Sequence, residues 1–240
     1  MSGHSKWATT FRQKSAQDAK RGAAFTKIAN LITVAARESG GDPEANFKLR
    51  LAIDKARAAN MPKDNIERAI KKGTGANKDG AAFEEVTYEI IGPGGTGFIA
   101  ESVTDNKNRT VADLKSILNK NNAQLGSANS VAWNFNRVGL IILENNKLDD
   151  DSELAIIDAG ADDIIKDDEV WQVTTPPENL MALSEALKKA GFTIKEASLS
   201  YLPKEETAIT DPELQEKIEK LYNAIDDLDD ISNVYTNANW

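Results

Sequence analysis

No cysteine occurs in the 240 residues, and there is a single histidine, His4. Disulfide frameworks, thiol nucleophiles and thiolate metal sites are therefore excluded. A histidine-based acid–base pair or zinc site would have to rest on one residue near the N-terminus. Aromatic residues make up only 6% of the chain. No apolar run approaches the roughly 18 residues that a membrane span needs, and the N-terminal stretch has no apolar segment of the secretory kind. These absences predict a cytoplasmic protein with no membrane partner. Phosphate-loop, calcium-loop, DNA-reading-helix and aromatic RNA-binding-strand patterns are absent as well. No catalytic residue, metal ligand or cofactor site is assigned from these patterns.

The charge is present but divided. The formal net charge is −9. Residues 1–75 hold 15 Lys/Arg against 7 Asp/Glu, a balance of +8, and residues 76–240 hold 14 against 31, a balance of −17. A block of one sign sets the field over its own part of the surface, so a polyanion is attracted to one end only. Within residues 1–27, Lys6, Arg12, Lys14, Lys20, Arg21 and Lys27 face a single acid, Asp18. Residues 1–21 offer little surface to bury and read as an arm for phosphates, with Trp7 available to stack on a base. A solvated tail is the plainer reading.

Three amphipathic helices follow. Phe25, Ile28, Ala29, Ile32, Ala35 and Ala36 share one face, and Gly40-Gly41 ends that helix. Asp42-Pro43 is expected to open the second helix, with Leu49, Ala52, Ile53, Ala56 and Ala59 inward. The third starts near Pro62, carries Ile66, Ala69 and Ile70, and stops at Gly73. On the outside, Arg50 and Arg57 share a face and Lys48 and Lys55 repeat the spacing. Arg68, Lys71 and Lys72 lie in a last helical turn, where the helix dipole also favours them. Lys63, at the unfavourable N-terminal end, has no such explanation.

Beyond a linker-like stretch at 73–82 the period changes to strands. Glu85–Ile91, a GPGG turn and Thr96–Val103 read as a hairpin, followed by a helix over Thr110–Asn121. The turn lacks the residues of a nucleotide-binding loop. At the strand-to-helix junction 104–110, Lys107 and Arg109 sit where backbone N–H groups can hold an anion. Capping of the helix by Thr104 or Asn108 is the alternative. Strands at 138–143, 163–166, 170–174 and 192–201, with helices at 151–160 and 176–190, give the order β-α-β-β-α-β of a ferredoxin-like unit. A last helix from Asp211-Pro212 to Ile225 and a strand at Ile231–Tyr235 need a sheet to join. The ferredoxin-like unit is already complete, so the tail is expected to return to the earlier hairpin. The acid clusters Asp149–Asp151, Asp162-Asp163, Asp167–Glu169 and Asp226–Asp230 suggest magnesium-dependent phosphotransfer as a competing class, but they fall at helix starts and turns, where acids are favoured anyway.

The stretches GHSKWA (3–8), AQDAKRG (16–22), FTKI (25–28), LRLAIDKARAANMPKDNIERAIKKGTG (49–75), YEIIGPGG (88–95), TDNKNRT (104–110) and SVAWNF (130–135) closely resemble the YebC family. That family includes PmpR-type regulators and a mitochondrial translational activator of cytochrome oxidase. The resemblance implies an α+β, multidomain fold: a basic helical bundle with its arm (1–76), an α+β middle domain (80–130 with 205–240), and a ferredoxin-like domain (131–204) inserted into it. It implies a non-enzymatic regulator of gene expression that binds DNA through the basic N-terminal module. The alternative is a ribosome-associated translation factor that binds ribosomal RNA and eases difficult sequences such as proline runs. The partner is accordingly nucleic acid, promoter DNA or ribosomal RNA. The expected contact residues are Lys6, Trp7, Arg12, Lys14, Lys20, Arg21, Lys27, Arg50, Arg57, Lys63, Arg68, Lys71, Lys72, Lys107 and Arg109. Two departures stand out. The stretch after GHSKW, ATTFRQK, is less basic than in relatives, and Asn121-Asn122-Ala123-Gln124 replaces a Gly-Gly turn.

Overall fold

The computed structural model describes residues 21–75, 83–144, 149–166 and 170–239. Helix α1 (Arg21–Ser39) buries Ile28, Ile32, Ala35 and Ala36 at helical spacing and ends at Gly40, whose φ of +90° few side chains tolerate. Helix α2 spans Phe47–Ala58 and α3 spans Lys63–Thr74. The second helix begins later than Asp42-Pro43. Asp42 holds a turn by accepting from the Glu44 N–H at 3.0 Å, and the N-cap is Asn46, whose Oδ1 accepts from the Leu49 N–H at 3.1 Å. Its Nδ2 donates to the carbonyls of Ala35 and Gly40, both at 2.7 Å. One buried amide thus caps α2 and fastens it to the end of α1.

Helices α1 and α3 run parallel. The Thr33 hydroxyl lies 3.3 Å from the Ala69 carbonyl, and four residues on Gly73 meets Ala36 and Arg37. A Cβ at Gly73 would stand 2.4 Å from the Thr33 carbonyl oxygen and 2.8 Å from the Ala36 Cβ. This close approach makes the small residue necessary.

The middle of the fold is a sheet. Strands β1 (Glu84–Ile91) and β2 (Gly97–Thr104) form an antiparallel hairpin through a tight turn at 93–95. Helix α4 (Lys107–Lys120) follows, then the short strand β3 (Gln124–Leu125). The chain returns to this sheet at its end, with helix α7 (Pro212–Asp226) and strand β9 (Ile231–Thr236), giving the order β3-β1-β2-β9. Phe98, Ala100, Leu114, Leu118, Ile218, Leu221 and Ile225 share the core formed by α4 and α7. Along β2 only Glu101 escapes full burial. The bundle covers the other face. There α1 lies on β2 and β9, the Lys55 ammonium donates to the Asn233 Oδ1 at 3.1 Å, and Glu101 accepts from the Asn233 amide and the Tyr235 hydroxyl. Two very short strands that sequence reading passes over, β8 (Thr207–Ala208) and β10 (Ala238–Asn239), pair in parallel.

Between these parts residues 136–202 form a separate compact unit. Strands β4 (Phe135–Glu144), β5 (Asp163–Lys166), β6 (Val170–Thr175) and β7 (Ile194–Pro203) stand in the order β5-β6-β4-β7. The pairs β4–β6 and β5–β6 are antiparallel. With helices α5 (Asp150–Asp158) and α6 (Leu180–Lys189) in the crossovers, this is the ferredoxin-like arrangement. Its core is Leu140–Leu143, Ile156, Val173, Leu180, Leu183 and Leu187.

The flanks of the insert are fastened to one another. The buried Asn134 accepts from the Glu205 N–H at 2.9 Å and donates to the Glu205 carbonyl at 2.8 Å, and the Lys204 N–H donates to the Asn134 carbonyl at 2.7 Å. The preceding loop is wrapped around a carboxylate. Glu89 on β1 accepts from the backbone N–H groups of Asn129 (2.6 Å), Val131 (2.8 Å) and Ala132 (2.8 Å). Burial opposes the charge, but these N–H donors outweigh it and hold the Glu89 carboxyl below its ordinary range.

Two expectations follow. Gly73→Ala lowers the thermal midpoint, although in an open helix the same change stabilises by about 1 kcal/mol, because here the added methyl pushes α1 and α3 apart. The folded-state pKa of Glu89 is depressed, so its contribution is present above the unfolded value of about 4.3 and disappears as pH falls through the folded value. Urea titrations between pH 5 and pH 2 check this: Glu89→Gln is less stable at pH 5, and its difference from the native protein shrinks toward pH 2.

Candidate nucleic-acid interface

The structure sorts the expected cations by what holds them. Lys6, Trp7, Arg12, Lys14 and Lys20 lie outside the described residues, as does His4. Arg21 is the first residue of α1. Lys27 donates to the Asp226 carbonyl at the end of α7. The shared faces expected on α2 are divided. Lys48 pairs with Glu38 at 2.8 Å and Glu85 at 3.1 Å, and Lys55 reaches Asn233. Burial opposes the Lys48 charge, yet the two carboxylates together raise its pKa. Arg50 closes the 43–46 turn, its Nε donating to the Pro43 carbonyl at 3.0 Å and a terminal nitrogen to the Glu44 carbonyl at 2.8 Å. Arg57 remains exposed beside Asp54 at 3.4 Å.

The outer side of α3 is different. Its apolar residues Ile66 and Ala69 are buried, which turns Arg68, Lys71 and Lys72 outward over its last two turns. Arg68 and Lys71 make no ion pair among the described residues. Lys72 lies over the Phe83 ring at 4.7 Å. Lys63 is held only loosely, 3.5 Å from Glu67 and 87% exposed. Because α1 and α3 are parallel, Arg37 in the last turn of α1 lies at the same end of the bundle, also exposed and without an ion pair among the described residues. Arg37 had no motif to single it out in the sequence. Its placement follows from a helix direction that only packing reveals. Two converging helix C-termini favour these cations, so a stabilising role and a phosphate-binding role draw on the same geometry.

At the junction 104–110 side chains already hold an anion, and it belongs to the chain. Asp230 accepts from the Thr110 hydroxyl at 2.7 Å and the Thr104 hydroxyl at 3.2 Å, and pairs with Arg109 at 2.9 Å. Arg109 also reaches Asp105 at 2.9 Å. Hydrogen bonds to Asp230 and then Asp105 raise its pKa further. Asn106, rather than Thr104 or Asn108, caps α4, its Oδ1 accepting from the Arg109 N–H at 3.1 Å. Thr104 supports it by accepting from the Asn106 N–H at 2.9 Å. Lys107 pairs with Glu84 at 2.5 Å. Lys107 and Arg109 therefore face carboxylates of their own chain.

The acid clusters have comparable structural tasks where they are described. Asp149 caps α5 through the Ser152 N–H at 2.9 Å and hydroxyl at 2.8 Å, which lowers its pKa. Among the described residues no three Asp, Glu or His side chains converge as metal ligands, and no helix is long and apolar enough to cross a membrane. The 93–95 turn joins β1 to β2 with Gly94 and Gly95 at positive φ, as a hairpin connection requires.

Residues 5–76 match the model of the TACO1/YebC protein N-terminal domain, and residues 83–238 match that of the TACO1/YebC second and third domain. A probable transcriptional regulatory protein of Thermoanaerobacter pseudethanolicus is 49% identical over 240 residues, 99% of this chain and 97% of that protein. One of Syntrophomonas wolfei is 48% identical over 241 residues, 99% of this chain and 96% of its own length. The crystal structure of a conserved hypothetical protein from Aquifex aeolicus superposes with a TM-score of 0.84 at 40% identity, covering 92% of this chain and 91% of that one.

Arg109→Ala is expected to lower the thermal midpoint, because Asp230, with its side chain only 15% exposed, loses its ionic partner. Melting curves of the variant and the native protein read the effect.

Proposed function

This chain belongs to the TACO1/YebC family, and from that premise we propose that it is a non-enzymatic regulator of gene expression that holds DNA through its basic N-terminal module. The observation that carries the reading is the cation cluster at the common end of α1 and α3: Arg37, Arg68, Lys71 and Lys72 project from helices whose other faces are buried, and among the described residues none is committed to a carboxylate. Relatives along the whole length are named probable transcriptional regulatory proteins. The charge division supports the same orientation, with +8 in residues 1–75 and −17 beyond. A duplex is drawn to the bundle and turned away from the acidic remainder.

Phosphate contacts of this kind are made by counterion release, so the affinity falls linearly on a log–log scale with salt, by about 0.9 per phosphate neutralised. They position a duplex without reading its bases. Magnesium-dependent phosphotransfer, the competing class, draws no support from Asp149, which caps α5, or Asp230, which pairs with Arg109, and among the described residues no three acids converge as metal ligands.

The test is a salt titration of the full chain on a 30-base-pair promoter duplex. Replacing Arg68 and Lys71 together by alanine reduces the slope by about 2 and leaves the melting temperature within a few degrees, because both side chains are exposed. An unchanged slope, with the native protein binding, removes the α3 cluster from the interface. Sedimentation of lysates with and without nuclease separates the two targets. Co-migration with ribosomes, together with absence of promoter binding, replaces DNA by ribosomal RNA as the ligand.

A further inference from the structure

A second surface differs from the basic cluster in every physical respect. From Asn121 to Asn136 the chain carries no charged residue, in a protein whose charged fraction is 28%. Within that stretch Trp133 is 56% exposed. Single exposed apolar residues are ordinary, but this one is immobilised. Its indole Nε1 donates to the Ser130 carbonyl at 3.2 Å, and its own carbonyl accepts from the Lys204 ammonium at 2.7 Å. The residues before it are wrapped around the Glu89 carboxylate, and Asn134 after it is locked to Glu205. A large exposed ring is thus held at its indole nitrogen, on a backbone that is itself held on both sides.

The surroundings select what would cover it. Among the described residues, the other large hydrophobics exposed to a similar degree, Leu154, Ile157 and Ile165, belong to the other compact unit. Within its own unit Trp133 therefore lacks the exposed large apolar neighbours that surround a protein-binding hot spot. The same loop instead exposes Ser127 and Asn129, the latter held at φ +63°. Side-chain amides and hydroxyls match the donor and acceptor pattern of base edges, and an aromatic ring stacks on any base face. In a duplex the base faces are already stacked, so the ring requires an unpaired base.

We infer that the 126–133 loop is a stacking platform, with Trp133 taking the face of an unpaired nucleobase beside Ser127 and Asn129. This rests on the nucleic-acid reading above and adds a single-strand contact to it. The loop's own residues are uncharged, the Glu89 carboxylate is taken up by backbone N–H groups and the Lys204 ammonium by the Trp133 carbonyl, so this contact contributes affinity without contributing to the salt slope, whereas the α3 cluster contributes to both.

The experiment measures anisotropy of a labelled 20-nucleotide mixed-sequence single strand, and of its duplex, with the full chain at 50 and 200 mM salt. Trp133→Ala weakens single-strand binding by about 5- to 100-fold with the salt slope unchanged. Duplex binding is unaffected, and Trp133→Phe restores most of the loss. Equal single-strand affinity in Trp133→Ala, an equal loss on both probes, or failure of Phe to restore binding overturns the platform. Arg68→Ala with Lys71→Ala serves as the internal control. If that variant lowers the slope while Trp133→Ala changes nothing, the platform falls and the basic surface stands. If the native protein binds neither probe, both fall. Melting curves of each variant establish that the fold is retained.

Discussion

Everything in the larger unit depends on one strand that cannot face water. β2 is hydrogen-bonded to β1 along one edge and β9 along the other, and it is buried on both faces. Its Phe98 and Ala100 require helices α4 and α7, while Ile99 requires cover from the bundle. β9 arrives only after a complete second unit has been made, so the insert must leave and rejoin at neighbouring points. The reciprocal hydrogen bonds between Asn134 and Glu205 meet that requirement. A folded insert with adjacent ends adds little loop-closure entropy to the host.

The same sheet decides which cations are available. Seen as sequence, the bundle presents a row of bases on α2. Once the bundle lies on the sheet, Lys48 and Lys55 turn to Glu85 and Asn233, and Lys27 to the end of α7. Exposed ion pairs are worth about 0–1 kcal/mol each, so these contacts set geometry more than they supply stability. The long-range field is the sum of all charges and survives the pairing. Short-range phosphate contact needs an uncommitted donor, and among the described residues of the bundle Arg37, Arg68 and Lys71, at the C-terminal ends of α1 and α3, make no ion pair. In the proposed reading, steering and contact therefore draw on different subsets of the same residues.

The elements with strong period were legible from sequence: the bundle helices, the β1–β2 hairpin, the ferredoxin-like order, the cap at Asp211 and the returning last strand. What was not legible depended on partners distant in sequence. Asn46 displaced Asp42 as a cap because it could also reach Ala35 and Gly40, which no local rule registers. The strands β3, β8 and β10 are two residues each, too short for any alternation to show. At 104–110 a helix N-terminus beside Lys107 and Arg109 resembled an anion site; an anion is held there, by the side chains of Thr104, Arg109 and Thr110 and not by the backbone N–H groups. The anion is Asp230, more than 100 positions later. Glu89 gave no signal at all, being one acid among many until the loop closed on it.

The SVAWNF stretch shows how one short segment divides its labour. Val131 and Phe135 are buried, Asn134 fastens the flanks of the insert, and the backbone N–H groups of 131–132 stabilise the Glu89 carboxylate. Those tasks account for the spacing of its residues, and none of them requires a tryptophan at 133. A smaller or polar residue would satisfy the same backbone bonds without exposing an indole. A fixed aromatic surface among uncharged amides favours contact by shape and stacking, which salt does not weaken. The cluster on α3 favours contact by charge, which salt weakens steeply. A ligand engaging both would be captured by the first property of its backbone and retained by the second property of its bases, and a fully paired duplex offers only the first.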